Sequence, residues 1–154
     1  MRPMWACPAC GRMFANRNQS HFCSRVSLRD HFAGREPHVV ETFELLLAAA
    51  EINGPVTVVP EKTRIAFQVR MSFAAFTLRR RWIDGHVVLA RRLESPRFRR
   101  IDRISPGNQV HVFRLNDPSA VDGEVSAWLA EAYEVGLQHH LAPRRGSDRL
   151  RAKS

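Results

Sequence analysis

Two stretches of the chain have the periodicity of amphipathic helices. In the first, apolar side chains recur at spacings of three and four at Phe43, Leu46, Leu47 and Ala50, which places them on one face of a helix. The Asn-Gly-Pro sequence at 53–55 ends this stretch, because glycine takes up a left-handed cap and proline cannot continue a helix. We therefore predict a helix over residues 38–52.

The second helical stretch follows the sequence Asn-Asp-Pro-Ser at 116–119, in which Asp117 or Ser119 supplies the N-cap. Its apolar side chains again share one face. They are Val121, Val125, Trp128, Leu129, Ala132 and Val135. After Leu141 the composition becomes polar and basic, so we expect residues 141–154 to form a disordered basic tail.

Between the helical stretches the period of the pattern falls to two. Apolar residues alternate with polar or small ones at Ile65, Phe67, Val69, Met71 and Phe73. This alternation predicts one strand over residues 64–73 with a buried face and a polar, partly basic face. Further strand-like segments occupy residues 56–59, 76–81, 82–91 and 110–115.

The order of the elements predicts an α+β fold. Consecutive strands without intervening helices pair in antiparallel fashion, so we expect an antiparallel sheet of four to five strands. The two helices flank it on one face, and the other face carries arginine. We divide the chain into a small N-terminal segment over residues 1–36, an α+β core domain over 37–140 and the tail.

The positive charge of the chain is concentrated in the strand region. The net charge is +9, and 22 of the 24 basic residues are arginine. Residues 64–114 hold twelve arginines against three acids, whereas 41–61 and 115–140 hold acids and no lysine or arginine. Because arginine binds phosphate bidentately, an anionic partner is one interpretation. The alternative is a solvated arginine-rich surface that binds nothing.

The location of the protein follows from its apolar runs and its cysteines. No apolar run approaches the roughly 20 residues that cross a bilayer, and the N-terminus lacks the apolar stretch of a secretion signal. The three cysteines all lie within the first 23 residues. An odd cluster of cysteines beside histidine favours metal binding in a reducing compartment. We therefore expect a cytoplasmic protein.

A Cys-x2-Cys pair makes residues 1–36 resemble a zinc finger. The spacing of Cys7 and Cys10 aims two sulfurs at one ion, and Cys23 is the remaining thiol. Either His21 or His31 supplies the fourth ligand; the gap from Cys23 to His31 exceeds the usual three to five residues. With three thiolates and one imidazole the site is closed, so the Zn²⁺ is structural and stabilises the folded segment.

The same residues resemble a bacterial and archaeal family known as domain of unknown function 5655. The finger portion of the resemblance is carried by Trp5-x-Cys7-x2-Cys10-Gly11-Arg12-x-Phe14 and Asn18-Gln19-Ser20-His21-x-Cys23. The core portion is carried by Gly54-Pro55-Val56, Ile65-Ala66-Phe67, Val121-Asp122, Trp128 and Ala132-Tyr133. The resemblance covers residues 5 to about 136 and implies Cys7, Cys10, His21 and Cys23 as the zinc ligands. It implies no catalytic residue, because the activity of the family is not established.

We interpret the chain as a non-enzymatic zinc-binding module that contacts nucleic acid through a basic sheet face. Arginine on the strands and in the loop that follows them can neutralise phosphates. The candidates on the strands are Arg64, Arg70, Arg79, Arg81, Arg91 and Arg92, and those in the loop are Arg97, Arg99, Arg100 and Arg103.

Two alternative functions remain open at this point. The first is a protein–protein interaction adaptor that docks a partner by the finger or the tail. The second is an enzyme that acts on nucleic acid, for which the available acid and base groups have no recognisable catalytic spacing. These groups are Asp84, His86, Glu94, Asp102 and His111.

The zinc ligands lead to the first testable prediction. Purified protein should contain zinc, and Cys10→Ser protein should contain much less, because the serine hydroxyl is a poor substitute for a thiolate ligand. Elemental analysis of both proteins after dialysis measures the metal content. An unchanged zinc content in the Cys10→Ser protein would contradict the ligand assignment.

Overall fold

The computed structural model describes residues 3–8, 13–17 and 26–139, which form eight strands, three α-helices and one 3₁₀ helix. The strands are β1 Trp5–Ala6, β2 Met13–Phe14, β3 Thr57–Pro60, β4 Ile65–Gln68, β5 Ser72–Leu78, β6 Ile83–Leu89, β7 Arg100–Ser105 and β8 Asn108–Leu115. The helices are α1 Leu28–Phe32, α2 Pro37–Glu51 and α3 Gly123–Gly136, and the 3₁₀ helix is Pro118–Ala120.

Six of the strands form one antiparallel sheet in the order β3-β4-β5-β6-β8-β7. The predicted α+β class with an antiparallel sheet is confirmed, but the predicted count of four to five strands is wrong. The missed strand is β7, whose residues we had placed in a loop. It lies at the edge of the sheet, where none of its six residues is buried. Its sequence therefore lacks the apolar alternation that indicates a strand.

The single strand predicted over residues 64–73 is two strands. β4 and β5 are joined by a turn in which the amide of Val69 donates to the carbonyl oxygen of Met71. The alternation continues through the turn, so it does not reveal the reversal of the chain. All four residues of β4 are buried, which means that both faces of the sheet are covered at this strand.

Both long helices are confirmed, with small shifts at their first residues. α2 begins at Pro37, where the missing amide proton of proline costs nothing. α3 begins later than predicted, because Asp122 is its N-cap and accepts a bond from the amide of Val125 at 3.1 Å. Asp117 instead caps the 3₁₀ helix by accepting from the amide of Ser119. The short helix α1, capped by Ser27, was not predicted.

Helices α2 and α3 pack against one face of the sheet through a row of aromatic rings. The ring centroid of Phe67 lies 5.7 Å from that of Phe43 and 5.0 Å from that of Phe76. The row continues from Phe76 to Phe113 and on to Trp128 of α3. All five side chains are at most 2% exposed. This is the main core of the domain.

The opposite face of the sheet is also buried in part. Val59, Ala66 and Ala75 form a second buried cluster there. Gln68, which is 3% exposed and points to the same face as Ala66, donates from Nε2 to the carbonyl oxygen of Met13. The hairpin of β1 and β2 therefore contacts the sheet on the face away from the helices.

Much of the predicted zinc finger and tail falls outside the described residues. Cys7, which is 5% exposed, lies just after β1, whereas Cys10, His21 and Cys23 are not among the described residues. The tail at 141–154 is not among them either. Within residues 3–8, 13–17 and 26–139, no helix is long and apolar enough to cross a membrane.

The core has no space for a side chain at Gly85 of β6, which pairs with Phe76 and Phe113 on the neighbouring strands. A Cβ atom at this position would lie 2.6 Å from Cδ1 of Phe76 and 3.3 Å from Cε2 of Phe113. We predict that Gly85→Ala lowers the free energy of unfolding by about 1–3 kcal/mol through overpacking.

Gly123→Ala is the matched control, because nothing lies within 4 Å of a Cβ atom at that position in the first turn of α3. It should leave the stability unchanged or raise it by about 0.5 kcal/mol, since alanine favours helix more than glycine. Urea denaturation of the two variants measures the difference. Equal stabilities would contradict the packing described for β6.

Candidate functional site

His111 is fully buried and uses both ring nitrogens. Its Nε2 accepts from the amide of Leu93 at 2.9 Å, so its proton is on Nδ1, which donates to the carbonyl oxygen of Gln109 at 2.9 Å. Burial lowers the pKa of this histidine. Its ring also packs edge-to-face with that of Phe98, with the ring centroids 4.8 Å apart. His111 therefore holds the β6–β7 loop to the sheet and has no nitrogen left for acid–base chemistry.

His86 lies inside the sheet, on the face away from the helices. It pairs with Ala75 of β5 and Val112 of β8. Burial, and then the positive charge of Arg64, lower its pKa to about 4. The ring is therefore neutral at physiological pH, and its position between two strands is that of a packed residue.

Asp84 is held by three donors. Arg114 donates to Oδ1 at 2.8 Å, and Arg79 and Trp82 donate to Oδ2 at 3.0 and 3.3 Å. Burial alone would raise the pKa of Asp84, but these hydrogen bonds outweigh it and hold the pKa below its ordinary value. The Arg114 guanidinium also lies over the Trp82 ring, 4.7 Å from its centroid. Asp84 is thus an ionised carboxylate that ties three side chains together.

The two remaining acidic candidates are also paired with arginine. Asp102 accepts from Arg100 at 2.7 Å, and Glu94 accepts from Arg92 at 2.6 Å. In residues 26–139, which contain all five candidate acid and base groups, none of these groups is hydrogen-bonded to another. The structure therefore does not bring them together as a catalytic set.

The ten predicted arginines do not form a face of the sheet. Arg100 and Arg103 lie within β7, and the other eight lie in turns or loops. Seven of the ten are bound to carboxylates. The pairs are Arg64–Glu61, Arg79–Asp84, Arg81–Glu36, Arg91–Glu131, Arg92–Glu94, Arg97–Asp122 with Glu124, and Arg100–Asp102.

Arg97 has the most contacts of these arginines. It donates to Asp122, Glu124 and the carbonyl oxygen of Ala120, and its guanidinium lies 5.2 Å from the ring centroid of Trp128. Burial would lower the pKa of Arg97, but the carboxylates raise it above its usual value. Its role is to attach the β6–β7 loop to the start of α3.

Arg70, Arg99 and Arg103 are the predicted arginines that have no carboxylate partner among the described residues. Arg70 donates to the side-chain oxygen of Gln138 at 3.1 Å and is half-buried. Arg99 is exposed, as is Arg103 on the edge strand β7. These two exposed arginines remain available to a partner.

Two hairpin turns meet at one end of the sheet, which we call the turn end. They are the β3–β4 turn at 61–64 and the β5–β6 turn at 79–82, and residues 31–38 cross both. Four hydrogen bonds attach residues 31–38 to backbone carbonyl oxygens of these two hairpins. They run from His31 Nε2 to Glu61 at 2.6 Å, from Arg35 Nε to Leu78 at 2.8 Å, from the Glu36 amide to Arg80 at 2.9 Å, and from His38 Nε2 to Arg81 at 2.8 Å.

The turn end contains a cleft of about 620 Å³. Its lining is basic, with Arg35, Lys62, Arg79 and Arg80 against one acid, Asp30. Arg79 is neutralised by Asp84, whereas the other three cations have no carboxylate partner within the described parts of the chain. Among the described residues, His31, Thr63, Thr77, Leu78 and Val26 also line the cleft.

The sequence did not indicate this cleft. Arg35 lies in the segment that we had assigned to the finger, and Lys62 lies outside the arginine-rich block. Arg80 stands between two predicted arginines but was not singled out. Only the crossing of residues 31–38 over the two turns places these three side chains around one space, and no local pattern encodes that crossing.

The metal candidates are largely untested by the structure. His31, the alternative fourth ligand, is 6% exposed and has Nε2 bonded to the carbonyl oxygen of Glu61. Across residues 3–8, 13–17 and 26–139, no group of three or more His, Cys, Asp or Glu side chains is arranged to hold a metal ion. Three of the four predicted ligands, Cys10, His21 and Cys23, lie outside these described ranges. Zinc binding therefore stays a prediction.

The fold is that of an α+β domain whose sheet is covered by two helices. The chain belongs to the family described as Domain of unknown function (DUF5655), whose model matches residues 28–136. The predicted resemblance is confirmed over this range, which contains every strand of the large sheet. The match does not extend to the finger residues. No curated protein and no solved structure matches the chain.

The half-buried position of His86 within the sheet predicts a pH dependence of stability. Between about pH 6.5 and pH 4 the unfolded chain protonates this histidine and the folded chain does not, so the unfolded state binds more protons. The free energy of unfolding should therefore fall as the pH falls through this window. The part due to His86 is at most about 1.4 kcal/mol for each pH unit.

The measurement compares urea unfolding of wild-type and His86→Gln protein at several pH values between 7 and 4.5. The variant should lose stability less steeply on acidification, whatever its stability at pH 7. Parallel curves for the two proteins would mean that His86 is not shielded from protons in the folded state.

Proposed function

We propose that this protein is a non-enzymatic binding module that contacts the phosphates of nucleic acid. The observation that carries the proposal is the position of the cations that have no carboxylate partner among the described residues. Two exposed ones, Lys62 and Arg80, lie at the turn end, and two more, Arg99 and Arg103, lie on or beside the edge strand β7. Such side chains can exchange water and counterions for phosphate without breaking an existing ion pair.

This proposal changes the surface that we expected from the sequence. The basic sheet face is replaced by the turn end and the edge of the sheet, because most predicted arginines already have carboxylate partners. A partner would have to compete with those carboxylates to bind Arg91, whose guanidinium makes two hydrogen bonds to Glu131. The non-enzymatic part of the proposal is supported by the hydrogen bonds that occupy Asp84 and His111.

We also propose that Cys7, Cys10, His21 and Cys23 bind one structural Zn²⁺. Support comes from their spacing and from the burial of Cys7 beside the β1–β2 hairpin. The bond from His31 to Glu61 occupies one of the two ring nitrogens and favours His21 as the fourth ligand. The ion would stabilise a segment that lies against the sheet through Met13 and Gln68.

The test is a salt series of binding to duplex DNA and to single-stranded RNA. If about three phosphates are neutralised, the affinity for the duplex should fall about 40-fold between 50 and 200 mM salt. The quadruple variant Lys62→Gln, Arg80→Gln, Arg99→Gln, Arg103→Gln should bind weakly at all salt concentrations and have a smaller slope. Fluorescence anisotropy with labelled oligonucleotides measures both quantities.

The matched control replaces an ion pair without changing the net charge. Arg91→Gln with Glu131→Gln removes one arginine and its carboxylate partner, so binding and its salt slope should stay as in the wild type. Absence of binding at 50 mM salt, or an unaltered affinity of the quadruple variant, would exclude the proposed surface.

A further inference from the structure

We infer that the cleft at the turn end is a binding site for a terminal phosphate group, that is, a phosphate monoester. The inference deepens the proposed function and rests on it only for the larger molecule that carries the phosphate. Three cations line the cleft without a carboxylate partner in the described chain: Arg35, Lys62 and Arg80.

Arg35 is the most firmly positioned of the three. Its Nε donates to the carbonyl oxygen of Leu78 at 2.8 Å and its Nη1 to that of Ala33 at 2.7 Å. Carbonyl oxygens orient a guanidinium but leave its positive charge uncompensated. Because a guanidinium has five N–H donors, three remain after these two bonds. Arg35 is thus a fixed cation with donors to spare in the lining of the cleft.

Lys62 and Arg80 add two charges from the two hairpin turns. Both side chains are exposed, so they can close on a ligand without breaking a contact of the core. Thr63 and Thr77 add hydroxyl groups to the same lining, and a hydroxyl can donate to a phosphate oxygen. The cleft therefore combines one preoriented guanidinium, two exposed cations and two neutral donors.

Asp30 is the acid that opposes this arrangement. One of its carboxylate oxygens accepts from the amide of Ser27 at 3.0 Å, within the capping box of α1. That bond is the largest cause of its lowered pKa, so Asp30 is ionised and reduces the charge of the lining. A surplus of positive charge remains after Asp30 is counted against Arg35, Lys62 and Arg80.

The number of charges favours a monoester over a diester. A terminal phosphate carries about −1.5 to −2 charges at neutral pH and three acceptor oxygens, which matches a fixed guanidinium with two further cations. An internal phosphodiester carries one charge, and a carboxylate carries one charge and two acceptors. A volume of about 620 Å³ also exceeds what phosphate needs and leaves room for the nucleoside attached to it.

The experiment compares one oligonucleotide with a 5′-phosphate, a 3′-phosphate or hydroxyl groups at both ends, in 150 mM salt. We expect one phosphorylated form to bind at least 10-fold more tightly than the hydroxyl form. Lys62→Gln with Arg80→Gln should reduce this ratio to near one. Because these two side chains are exposed, the variant should keep the fold, and its thermal unfolding checks this.

Arg99→Gln with Arg103→Gln is the control of equal charge. It should weaken the binding of all three oligonucleotides alike and leave the ratio unchanged, because both residues lie outside the cleft. A ratio near one in the wild type overturns the inference and leaves nucleic-acid binding standing. The inference is also overturned if Arg99→Gln with Arg103→Gln reduces the ratio to near one, as Lys62→Gln with Arg80→Gln does.

A separate arm identifies the source of the phosphate. Nucleoside monophosphate and inorganic phosphate are titrated into isotope-labelled protein, and the amide signals of Thr63, Thr77 and Arg80 are followed by NMR. Shifts at these positions with no oligonucleotide binding at 50 mM salt would support the cleft, assign it to small phosphate esters and exclude the proposed function. No shifts with either ligand and no preference for a phosphorylated end would exclude the cleft.

Discussion

The packing of aromatic rings between the sheet and the two long helices is the interaction on which the rest of this structure depends. Phe67 lies between Phe43 of α2 and Phe76 of β5, and the row reaches Trp128 of α3 through Phe113. Burying rings of this size contributes about 2–3 kcal/mol each, which commits both helices to one face of the sheet. The residues that precede α2 must then cross the turn end to reach the helix, and this crossing forms the basic cleft.

The opposite face of the sheet depends on small side chains. Val59, Ala66 and Ala75 are buried there, and their size allows another layer of the protein to approach the strands closely. The β1–β2 hairpin contacts this face through the bond from Gln68 to Met13. If zinc stabilises that hairpin as we propose, the metal supports one layer of the domain and not an independent appendage.

The ion pairs of the arginines determine how much of the net positive charge is available to a partner. Exposed ion pairs contribute only about 0–1 kcal/mol each to stability, so their main consequence here is to neutralise cations. Seven of the predicted arginines are neutralised in this way. In the part of the chain that the structure describes, the charge that a partner can reach is therefore concentrated in a few residues at the turn end and the edge of the sheet, Lys62 and Arg80 among them.

The sequence by itself determined the elements whose signals are local. The apolar stripes of α2 and α3 are repeated over several turns, and residues 82–91 and 110–115 were strand-like by their own composition, so the fold class and the helix positions could be predicted. The reversal between β4 and β5 could not, because alternation continues through it, and β7 could not, because an edge strand needs no apolar face. The partners of the arginines and the convergence of Arg35, Lys62 and Arg80 were decided by tertiary structure alone. The ion pairs and the convergence both depend on contacts between residues far apart in the chain, and no local pattern of side chains predicts such contacts.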